Sequence, residues 1–471
     1  MSHRFRPFWL AEALELEGAE PARPLEGAIR TQLAIVGGGY TGLWTAILAK
    51  QADPALDVVI LESDVVGSDA SGRNGGCVLS WSTKLPSLIR LYGEAEAARL
   101  VRASEQAILD IDAFVRGHRI DCDWRLHGTL YTATSTAQVG ASDAVMDALR
   151  ERGLSQWTRL PVHEVQRRAG SRGHLEGWYS PVAATVQPGK LVRGLRRVAL
   201  SMGIRLYEGS PVADITAGSP LVLHTPRGRV VADRAVYAVN AWMGRLFPTF
   251  RRTVAIVSSD MVITAPNPMA LERSGLDRGI SVLDSRTFVH YYRSTSDGRL
   301  MLGKGGNTFA YGGYMRAVFN QPSPYAAALG AALRKFIPEL SHTPIAASWN
   351  GPSDRSVTGL PFFGTLPGHS NVWYGLGYSG NGVGPTRMGG EILASLALGH
   401  DNAWTRSGLV TGPLGYFPPE PIRFIGSHVV RNAIRRQEWA EDHNRPVRAW
   451  DRWLASFAAS AGKADKVAPS S

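Results

Sequence analysis

Cysteine is almost absent from this sequence: only Cys77 and Cys122 occur among 471 residues. Two cysteines cannot build a disulfide framework, and neither belongs to a Cys-x-x-Cys pair of the kind that holds zinc or performs dithiol redox chemistry. The chain also lacks a run of 18 apolar residues, and its first thirty residues contain acidic side chains where a secretory segment would be apolar. These absences predict a cytoplasmic protein without a metal site.

Blocks of like charge are also missing, although the formal net charge is +11. Lysine and arginine alternate with acidic residues along the chain, and no platform of basic and aromatic residues for nucleic acid is visible. We therefore expect no nucleic-acid partner and keep RNA binding as a remote alternative, which salt-dependent RNA binding would reveal. With 44% hydrophobic and 19% charged residues, the composition excludes a fibrous or disordered chain, and the length requires two or more domains.

The strongest local pattern is a short apolar run at residues 33–36 that ends in a glycine-rich turn. Helix formers follow, and then a second apolar run at residues 57–61 that ends on Glu62, which predicts a βαβ unit. The spacing Gly-x-Gly-x-x-Gly lets the backbone approach a pyrophosphate at the N-terminus of the helix. Glu62 is expected to bind a ribose diol and to repel a 2′-phosphate, which favours FAD or NAD over NADP. The turn consists of Gly37, Gly38, Gly39, Tyr40, Thr41 and Gly42.

A second glycine-rich loop lies far down the chain, at residues 377–384, between a strand-like run at 371–374 and a helix that opens with Pro385. A nicotinamide enzyme does not need a second helix N-terminus from so distant a segment. A reduced flavin does, because it carries negative charge near N1 and C2=O that a helix dipole stabilises. The loop therefore favours FAD, and an ordinary strand-loop-helix connection is the alternative.

The remaining patterns predict the other elements. We expect a loop without helix or strand at residues 67–76, a helix at 86–117, alternating helix and strands at 190–239, and an antiparallel sheet at 253–303. An amphipathic helix at 429–442 and a fraying polar tail after Ala461 end the chain.

Four of these motifs together resemble the glycine/D-amino-acid oxidase (DAO) family of FAD-dependent oxidoreductases. The resemblance covers roughly residues 30–399, and the Pro-Pro-Glu-Pro segment at 418–421 is similar to a branch related to gamma-glutamylputrescine oxidoreductases. The four motifs are Ala34–Gly39, Ala70–Gly76, Gly359–Gly364 and Gly377–Gly382.

The resemblance implies an α/β fold with a discontinuous Rossmann-like FAD-binding domain of the glutathione-reductase type and an antiparallel-sheet (α+β) substrate domain. We assign residues 31–95, 155–250 and 345–400 to the FAD-binding domain, and residues 96–154 and 251–344 to the substrate domain. Residues 1–30 form an N-terminal extension, and residues 401–471 form a C-terminal helical extension.

The family also implies roles for particular residues. The first glycine turn lies at the pyrophosphate, Glu62 and Ser63 at the adenosine ribose, Val212 at the adenine, and the second glycine loop at the pyrimidine ring of the isoalloxazine. Arg73 is either a contact to flavin or phosphate or a solvated loop residue. We expect non-covalent FAD, since no cysteine follows Cys122. The residues expected at the middle of FAD are Arg73, Asn74, Gly75 and Gly76, and those at the pyrimidine ring are Gly380, Asn381, Gly382 and Val383.

Enzymes of this family remove a hydride from the carbon next to an amine and give an imine that water hydrolyses. The substrate must be bound as the neutral amine, so the predicted partner is a small-molecule amine or amino acid. Candidates to line the substrate pocket come from the antiparallel domain: His290 and Tyr292 on one strand face, Tyr291 on the other, and Lys304 near the flavin. Of these, His290, Tyr292 and Lys304 are the predicted catalytic residues. One of these strand faces is alternatively ordinary aromatic core, and Lys304 is alternatively a substrate-binding or solvated residue.

Two departures from the sarcosine oxidases bear on the electron acceptor and the substrate. Those enzymes have a lysine near the flavin where this chain has Met301, and a carboxylate-binding lysine where this chain has Gly384 or Pro385. Fast turnover with oxygen and a simple N-methyl amino acid are therefore less expected, and the acceptor is oxygen or a quinone. A quinone-linked enzyme at the membrane is an alternative in which the basic helix at 429–442, with Arg431, Arg435 and Arg436, lies on anionic lipid or instead packs on the FAD-binding domain.

Overall fold

Two large β-sheets organise the part of the chain that the computed structural model describes, namely residues 5–18, 23–276, 278–315, 317–458, 462, 464 and 465. The strands are β1 Gly27–Val36, β2 Val58–Leu61, β3 Cys77–Val78, β4 Thr129–Ala133, β5 Thr158–Arg159, β6 Glu176–Ser180, β7 Ala184–Thr185, β8 Arg205–Tyr207, β9 Asp214–Thr216, β10 Leu221–His224, β11 Gly228–Tyr237, β12 Val254–Thr264, β13 Ser281–Asp284, β14 His290–Ser294, β15 Leu300–Phe309, β16 Ile345–Ser356, β17 Phe362–Thr365 and β18 Val372–Leu376. The helices are α1 Phe8–Glu17, α2 Tyr40–Ala52, α3 Ala70–Arg73, α4 Leu85–Gly117, α5 Asp143–Glu151, α6 Val162–Ala169, α7 Pro188–Ser201, α8 Met243–Leu246, α9 Pro268–Ser274, α10 Ala326–Phe336, α11 Pro385–Leu398, α12 Ile422–Asp442 and α13 Ala449–Ser456.

The first sheet has the order β17-β18-β11-β1-β2-β8. The strands β18, β11, β1, β2 and β8 run parallel, β17 is an antiparallel edge strand, and β9 and β10 form an antiparallel arm on β11. Residues 33–36 are buried because both faces of this sheet are covered, one by helices that include α2, α7 and α11 and the other by the antiparallel arm of β9 and β10, which explains the continuous apolar run. The predicted βαβ unit and the α/β fold class are confirmed.

Helices α2 and α11, which follow the two glycine-rich segments, pack directly against each other. The approach is so close that a Cβ atom on Gly390 of α11 would lie 2.5 Å from Cβ of Trp44 on α2. Since the two helices are neighbours, both glycine-rich segments open onto the same side of the first sheet. Segments more than 330 residues apart in sequence are thereby brought to one site.

The second sheet has the order β16-β12-β15-β14-β13-β4-β6-β5 and is antiparallel except for the parallel pair β13 and β4. Alternate residues of its strands point to opposite faces. On one face Met261 and Met301 pack with Trp9 and Trp349, and on the other Leu302 and its neighbours pack beneath helix α10. The predicted antiparallel sheet at 253–303 forms the centre of this second sheet.

Several boundaries differ from the predictions. Residues 70–73 form one helical turn within the expected loop, because Asn74 Nδ2 donates to the carbonyl groups of Ala70 and Ser71. Strands β5, β6 and β16 lie in the second sheet although the sequence assigned them to the FAD-binding domain, since β16 pairs with β12 along its length. Strand pattern alone does not reveal which sheet a strand joins, so these three strands depart from their predicted assignment, while the division into two domains stays a prediction.

The C-terminal helix α12 begins at Ile422, earlier than expected, and packs on the second sheet. Arg431 Nη1 donates to the carbonyl of Asn307 at 2.8 Å, and Arg435 Nη2 donates to Asn307 Oδ1 at 2.9 Å. These two arginines therefore face β15, neither lipid nor the FAD-binding domain. Most of the predicted fraying tail lies outside the described residues, and no helix in the described ranges is long and apolar enough to span a membrane.

Candidate functional site

A cavity of about 740 Å³ lies between the two sheets, at the carboxyl ends of β1, β2 and β11. Ligands of open parallel sheets bind at this edge, and the volume lies in the range of cofactor pockets, about 300 to 1,000 Å³. The cavity extends from Glu62 and Val212 at one end to Arg355 and Gly380 at the other.

The first glycine turn forms the floor of the cavity. The amide of Gly37 donates to the carbonyl of Leu61 at 2.8 Å, and Gly37 has a φ of +108°. A Cβ on Gly37 would lie 2.5 Å from the carbonyl oxygen of Ala238, and one on Gly42 would lie 2.0 Å from the carbonyl oxygen of Gly37. Only glycine fits either position, and α2 begins at the cavity directly after Gly39, which has no side chain to cap it.

Other residues of the turn hold the helix in place beside the cavity. The hydroxyl of Tyr40 donates to the carbonyl of Pro188 at 2.8 Å, and Thr41 Oγ1 donates to the hydroxyl of Tyr378 at 3.0 Å. Tyr40 and Thr41 line the cavity, whereas Gly38 and Gly42 act from behind its wall. The turn therefore lies at the cavity, and its contact with a pyrophosphate stays a prediction.

Glu62 is buried at the end of β2 and accepts hydrogen bonds from three donors. These are the amide of Gly38 at 2.8 Å, the hydroxyl of Ser63 at 3.1 Å and the amide of Asp64 at 2.9 Å. Burial raises the pKa of Glu62 to about 7, although these hydrogen bonds act in the opposite direction. Glu62, Ser63 and Val212 line the same end of the cavity.

Sequence reasoning missed the segment after β11, which also lines this end of the cavity with Asn240, Trp242 and Arg245. Asn240 has a φ of +49°, an uncommon conformation for a residue with a side chain, and Trp242 Nε1 donates to Asp69 Oδ2 at 2.8 Å. The signal was available, because the residues after any parallel strand of this sheet lie at its carboxyl edge.

The middle of the cavity is formed by α3 and the residues after it. Asn74 and Gly75 line it, and a Cβ on Gly75 would lie 2.4 Å from the ring of Tyr291. Gly76, with a φ of +71°, lies behind the wall, where a Cβ would lie 2.0 Å from the carbonyl oxygen of Val186.

Arg73 does not reach the cavity, contrary to the predicted cofactor contact. Its guanidinium is buried and donates to the carbonyl of Ser68 at 2.7 Å, the carbonyl of Phe319 at 3.1 Å and Asn320 Oδ1 at 2.9 Å. These acceptors direct the side chain away from the site. Arg73 is thus neither of the predicted alternatives, because it ties α3 to a segment almost 250 residues away.

The second glycine loop closes the far end of the cavity. Gly380, Gly382 and Val383 line it, whereas the Asn381 side chain turns away and donates to the carbonyl of Ser80 at 3.3 Å. Helix α11 begins at Pro385, directly after the loop, and Gly384 at its N-cap position offers no side chain to cap it. The loop lies where the sequence predicted, except for the side chain of Asn381.

Asp354 at the end of β16 holds this loop. Its carboxylate accepts hydrogen bonds from the backbone amides of Gly377, Tyr378 and Ser379. Burial raises the pKa of Asp354 to about 6 against the effect of these bonds. Because its oxygens are directed at the loop backbone, Asp354 positions the loop and is not available as a base.

The second sheet presents Tyr291 to the cavity, and its hydroxyl lies 2.7 Å from the hydroxyl of Ser259. His290 and Tyr292 lie on the opposite face of β14 and do not line the cavity, contrary to their predicted position in the substrate pocket. The hydroxyl of Tyr292 donates to the carbonyl of Ala169 at 2.7 Å, and Nδ1 of His290 lies 3.0 Å from Asp284 Oδ2. Alternation along the strand explains why only the middle residue reaches the site.

Lys304 also lies on the opposite face, contrary to the predicted position near the flavin. Its ammonium donates to the carbonyl of Phe288 at 3.0 Å and to Glu438 Oε2 of α12 at 3.3 Å. In β15 the even-numbered residues face away from the cavity, whereas Gly305 lines it. Lys304 therefore joins the second sheet to the C-terminal helix.

Arg355, which sequence reasoning did not identify, lies in the cavity wall beside the second glycine loop. Its backbone pairs with that of Tyr378, which places it next to the loop. Burial lowers the pKa of Arg355 to about 10, while the carboxylate of Asp354 opposes this shift, so the guanidinium stays charged at neutral pH. The only sequence signal was an Asp-Arg pair inside a strand of the second sheet.

Comparisons with known proteins agree with this site. The sequence model of the family described as DAO, FAD dependent oxidoreductase, matches residues 32–396. The chain belongs to this family. The match confirms the predicted family, fold class, FAD cofactor and oxidoreductase activity. Helices α12 and α13 lie beyond the residues that the family model matches.

Three relatives illustrate the range of similar enzymes. The gamma-glutamylputrescine oxidoreductase of Escherichia coli is 29% identical over 80% of this chain and 86% of its own length. A probable oxidoreductase, OrdL, of Rhizobium meliloti is 30% identical over 81% of this chain and 87% of its own. The crystal structure of glycine oxidase from Geobacillus kaustophilus has a TM-score of 0.67 at 23% identity, covering 82% of this chain and 100% of that one.

The residues present fit FAD. Glycines stand where a side chain would collide with the backbone of the turn, and helices α2 and α11 both begin at the wall of one cavity. The carboxyl of Glu62 is buried at the end where a ribose diol would donate to it. Both the anionic and the hydroxyl groups of FAD therefore have matching partners in this chain.

Proposed function

We propose that this enzyme oxidises the C–N bond of a small amine or amino acid that carries an anionic group, and that Arg355 holds this group. The relatives support the amine, since their names describe a glutamylated diamine and glycine as substrates. An anionic group on the substrate is supported by the position of the Arg355 guanidinium, which lies beside the second glycine loop and Tyr291. A planar guanidinium pairs with a carboxylate in a bidentate manner and fixes its orientation.

FAD supplies the hydride acceptor, so that the carbon next to the nitrogen is oxidised to an imine, which water hydrolyses. The chain's own residues orient the substrate and keep its nitrogen neutral. Leu79, Leu283 and Val289 give this end of the cavity apolar walls, which disfavour an ammonium group. The paired hydroxyl groups of Tyr291 and Ser259 offer a polar contact on the wall that the second sheet forms.

Oxygen is the slower electron acceptor in this proposal, and a quinone is the preferred one. No lysine lines the cavity within the described residues, and position 301 is a buried methionine packed against Trp9 and Trp349. Lys304, the nearest lysine in sequence, is turned to Glu438. The cytoplasmic location stays a prediction from the low cysteine content, as does the division into an FAD-binding and a substrate domain.

The test is anaerobic bleaching of the flavin by matched pairs of amines, each with and without a carboxylate. We expect the acidic member of a pair to bleach the flavin at lower concentration, and Arg355→Met to remove this preference. Exposed Arg273 on α9 gives the control, since Arg273→Met removes the same charge away from the cavity. The role of Arg355 would be contradicted if the wild type did not distinguish the acidic from the neutral amine, or if Arg355→Met kept the preference for the acidic one. The rates of flavin reoxidation by oxygen and by a soluble quinone test the electron acceptor.

A further inference from the structure

We infer that helix α13 and the end of α12 form a docking surface for an anionic lipid bilayer. This surface consists of Trp439, Trp450, Trp453 and Phe457 together with the arginines at 445, 448 and 452. The segment lies beyond residue 396, where the match to the family ends. The inference does not depend on which amine the enzyme oxidises.

Helix α13 and Phe457, the residue directly after it, carry aromatic side chains on the outside. Trp450, Trp453 and Phe457 are 64%, 52% and 65% exposed, whereas Asp451 and Leu454 are buried against the rest of the chain. The ring centroids of Trp450 and Trp453 lie 4.9 Å apart, and those of Trp453 and Phe457 lie 5.0 Å apart. Three large aromatic rings thus form one continuous exposed row, which water disfavours and a binding surface uses.

The surface is held in place before anything binds to it. Arg436 Nη2 of α12 lies 2.6 Å from Asp451 Oδ1 of α13, and this ion pair joins the two helices. Helix α12 is in turn fixed to the second sheet by the ion pair of Lys304 and Glu438. The aromatic row therefore projects from a rigid part of the protein.

The charges around the row favour an anionic surface. Between residues 443 and 458 the chain contains three arginines and a single acidic residue, Asp451, which is buried and paired. Tryptophan enriched at one face, with arginine beside it, is typical of helices that lie in the interface of a bilayer with anionic lipid. This patch differs from the arginines at 431 and 435, which face the second sheet.

A second copy of the chain fits this surface less well. In a two-fold dimer the same patch meets itself, so the three arginines would face three arginines across the contact. Like charges placed together at an interface oppose association. The headgroups of an anionic bilayer attract the arginines, and its interface accommodates the aromatic rings. We therefore assign this surface to a bilayer.

Co-sedimentation of the holoenzyme with vesicles tests the inference. We expect binding to vesicles of phosphatidylcholine with phosphatidylglycerol, little binding to phosphatidylcholine alone, and weakening by salt. The triple variant Trp450→Ala, Trp453→Ala and Phe457→Ala should lower the bound fraction at least tenfold, and Arg445→Gln with Arg448→Gln and Arg452→Gln should remove the preference for anionic lipid. The control variant Ile422→Ala with Ile425→Ala removes exposed apolar side chains from the start of α12 and should bind as the wild type does.

Three results would overturn the inference. The first is an absence of vesicle binding by the wild type, and the second is equal binding by the wild type and the aromatic triple variant. The third is a wild-type dimer in light scattering that the triple variant converts to a monomer, which would assign the row to self-association. Anaerobic flavin bleaching by substrate should be unchanged in all variants, and this separates loss of docking from loss of folding.

Discussion

The protonation of Glu62 should make FAD affinity depend on pH. Burial raises the pKa of this carboxyl to about 7 in the cofactor-free protein, compared with an ordinary value of about 4.3. The hydroxyl groups of a ribose donate to the carboxylate and favour its charged form, so FAD binding should release a proton below pH ~7. At pH ~6 only about one molecule in eleven carries the charged carboxyl, and we expect the FAD dissociation constant to be about tenfold higher than at pH ~8.

Titration of the apoprotein with FAD, followed by flavin fluorescence at several pH values, measures this effect. Glu62→Gln keeps the shape of the side chain without its charge and should bind FAD more weakly but equally at each pH. If the wild type and Glu62→Gln show the same dependence on pH, the reasoning fails. The same pKa determines how the free energy of unfolding of the apoprotein depends on pH. Because the pKa of Glu62 is higher in the folded state than its ordinary value, the stabilising contribution of Glu62 is complete below pH ~4.3 and is lost as the pH rises through ~7.

Three further predictions concern the cofactor site. Acid denaturation should release intact FAD into solution, and colour that stays with the precipitated chain would contradict the non-covalent mode. Gly75→Val should abolish FAD binding, since a Cβ there would lie 2.4 Å from the Tyr291 ring, and a normal flavin content in the purified variant would refute the placement. Asp354→Ala should lower FAD affinity by freeing the amides of residues 377–379, about tenfold or more for the loss of bonds to a charged acceptor, and an unchanged affinity would separate the loop from the cofactor.

The parts of the site that the sequence predicted are those encoded locally. The turn from Gly37 to Gly42 and the carboxyl of Glu62 belong to one βαβ unit, whose residue spacing fixes their relative positions. The second glycine loop is recognisable for the same reason, because Pro385 opens a helix directly behind it. In each case a strand, a turn and a helix follow one another without an intervening segment.

The parts that the sequence did not predict depend on contacts between distant segments. Alternation showed that His290 and Tyr292 share one face of β14 and that Tyr291 lies on the other, but only the packing of the two sheets decides which face meets the cavity. Arg73 is directed away by acceptors at 319 and 320, and Arg355 enters the site because β16 pairs with β12. No local pattern contains this information.

For Lys304 the position predicted from the sequence differs clearly from the position in the structure, and replacing this residue tests the structure directly. Both members of its ion pair with Glu438 are largely buried, so Lys304→Met leaves the Glu438 carboxylate without its charged partner. We expect the free energy of unfolding to fall by about 1 to 3 kcal/mol, and Glu438→Gln added to Lys304→Met to recover part of this loss. Reduction by substrate and reoxidation by oxygen, measured by stopped flow, should both be unchanged, because the ammonium lies on the face of β15 that is turned away from the cavity. Slower reoxidation in Lys304→Met, with unfolding unaffected, would instead place the ammonium at the flavin and would mean that the face assigned to β15 is wrong.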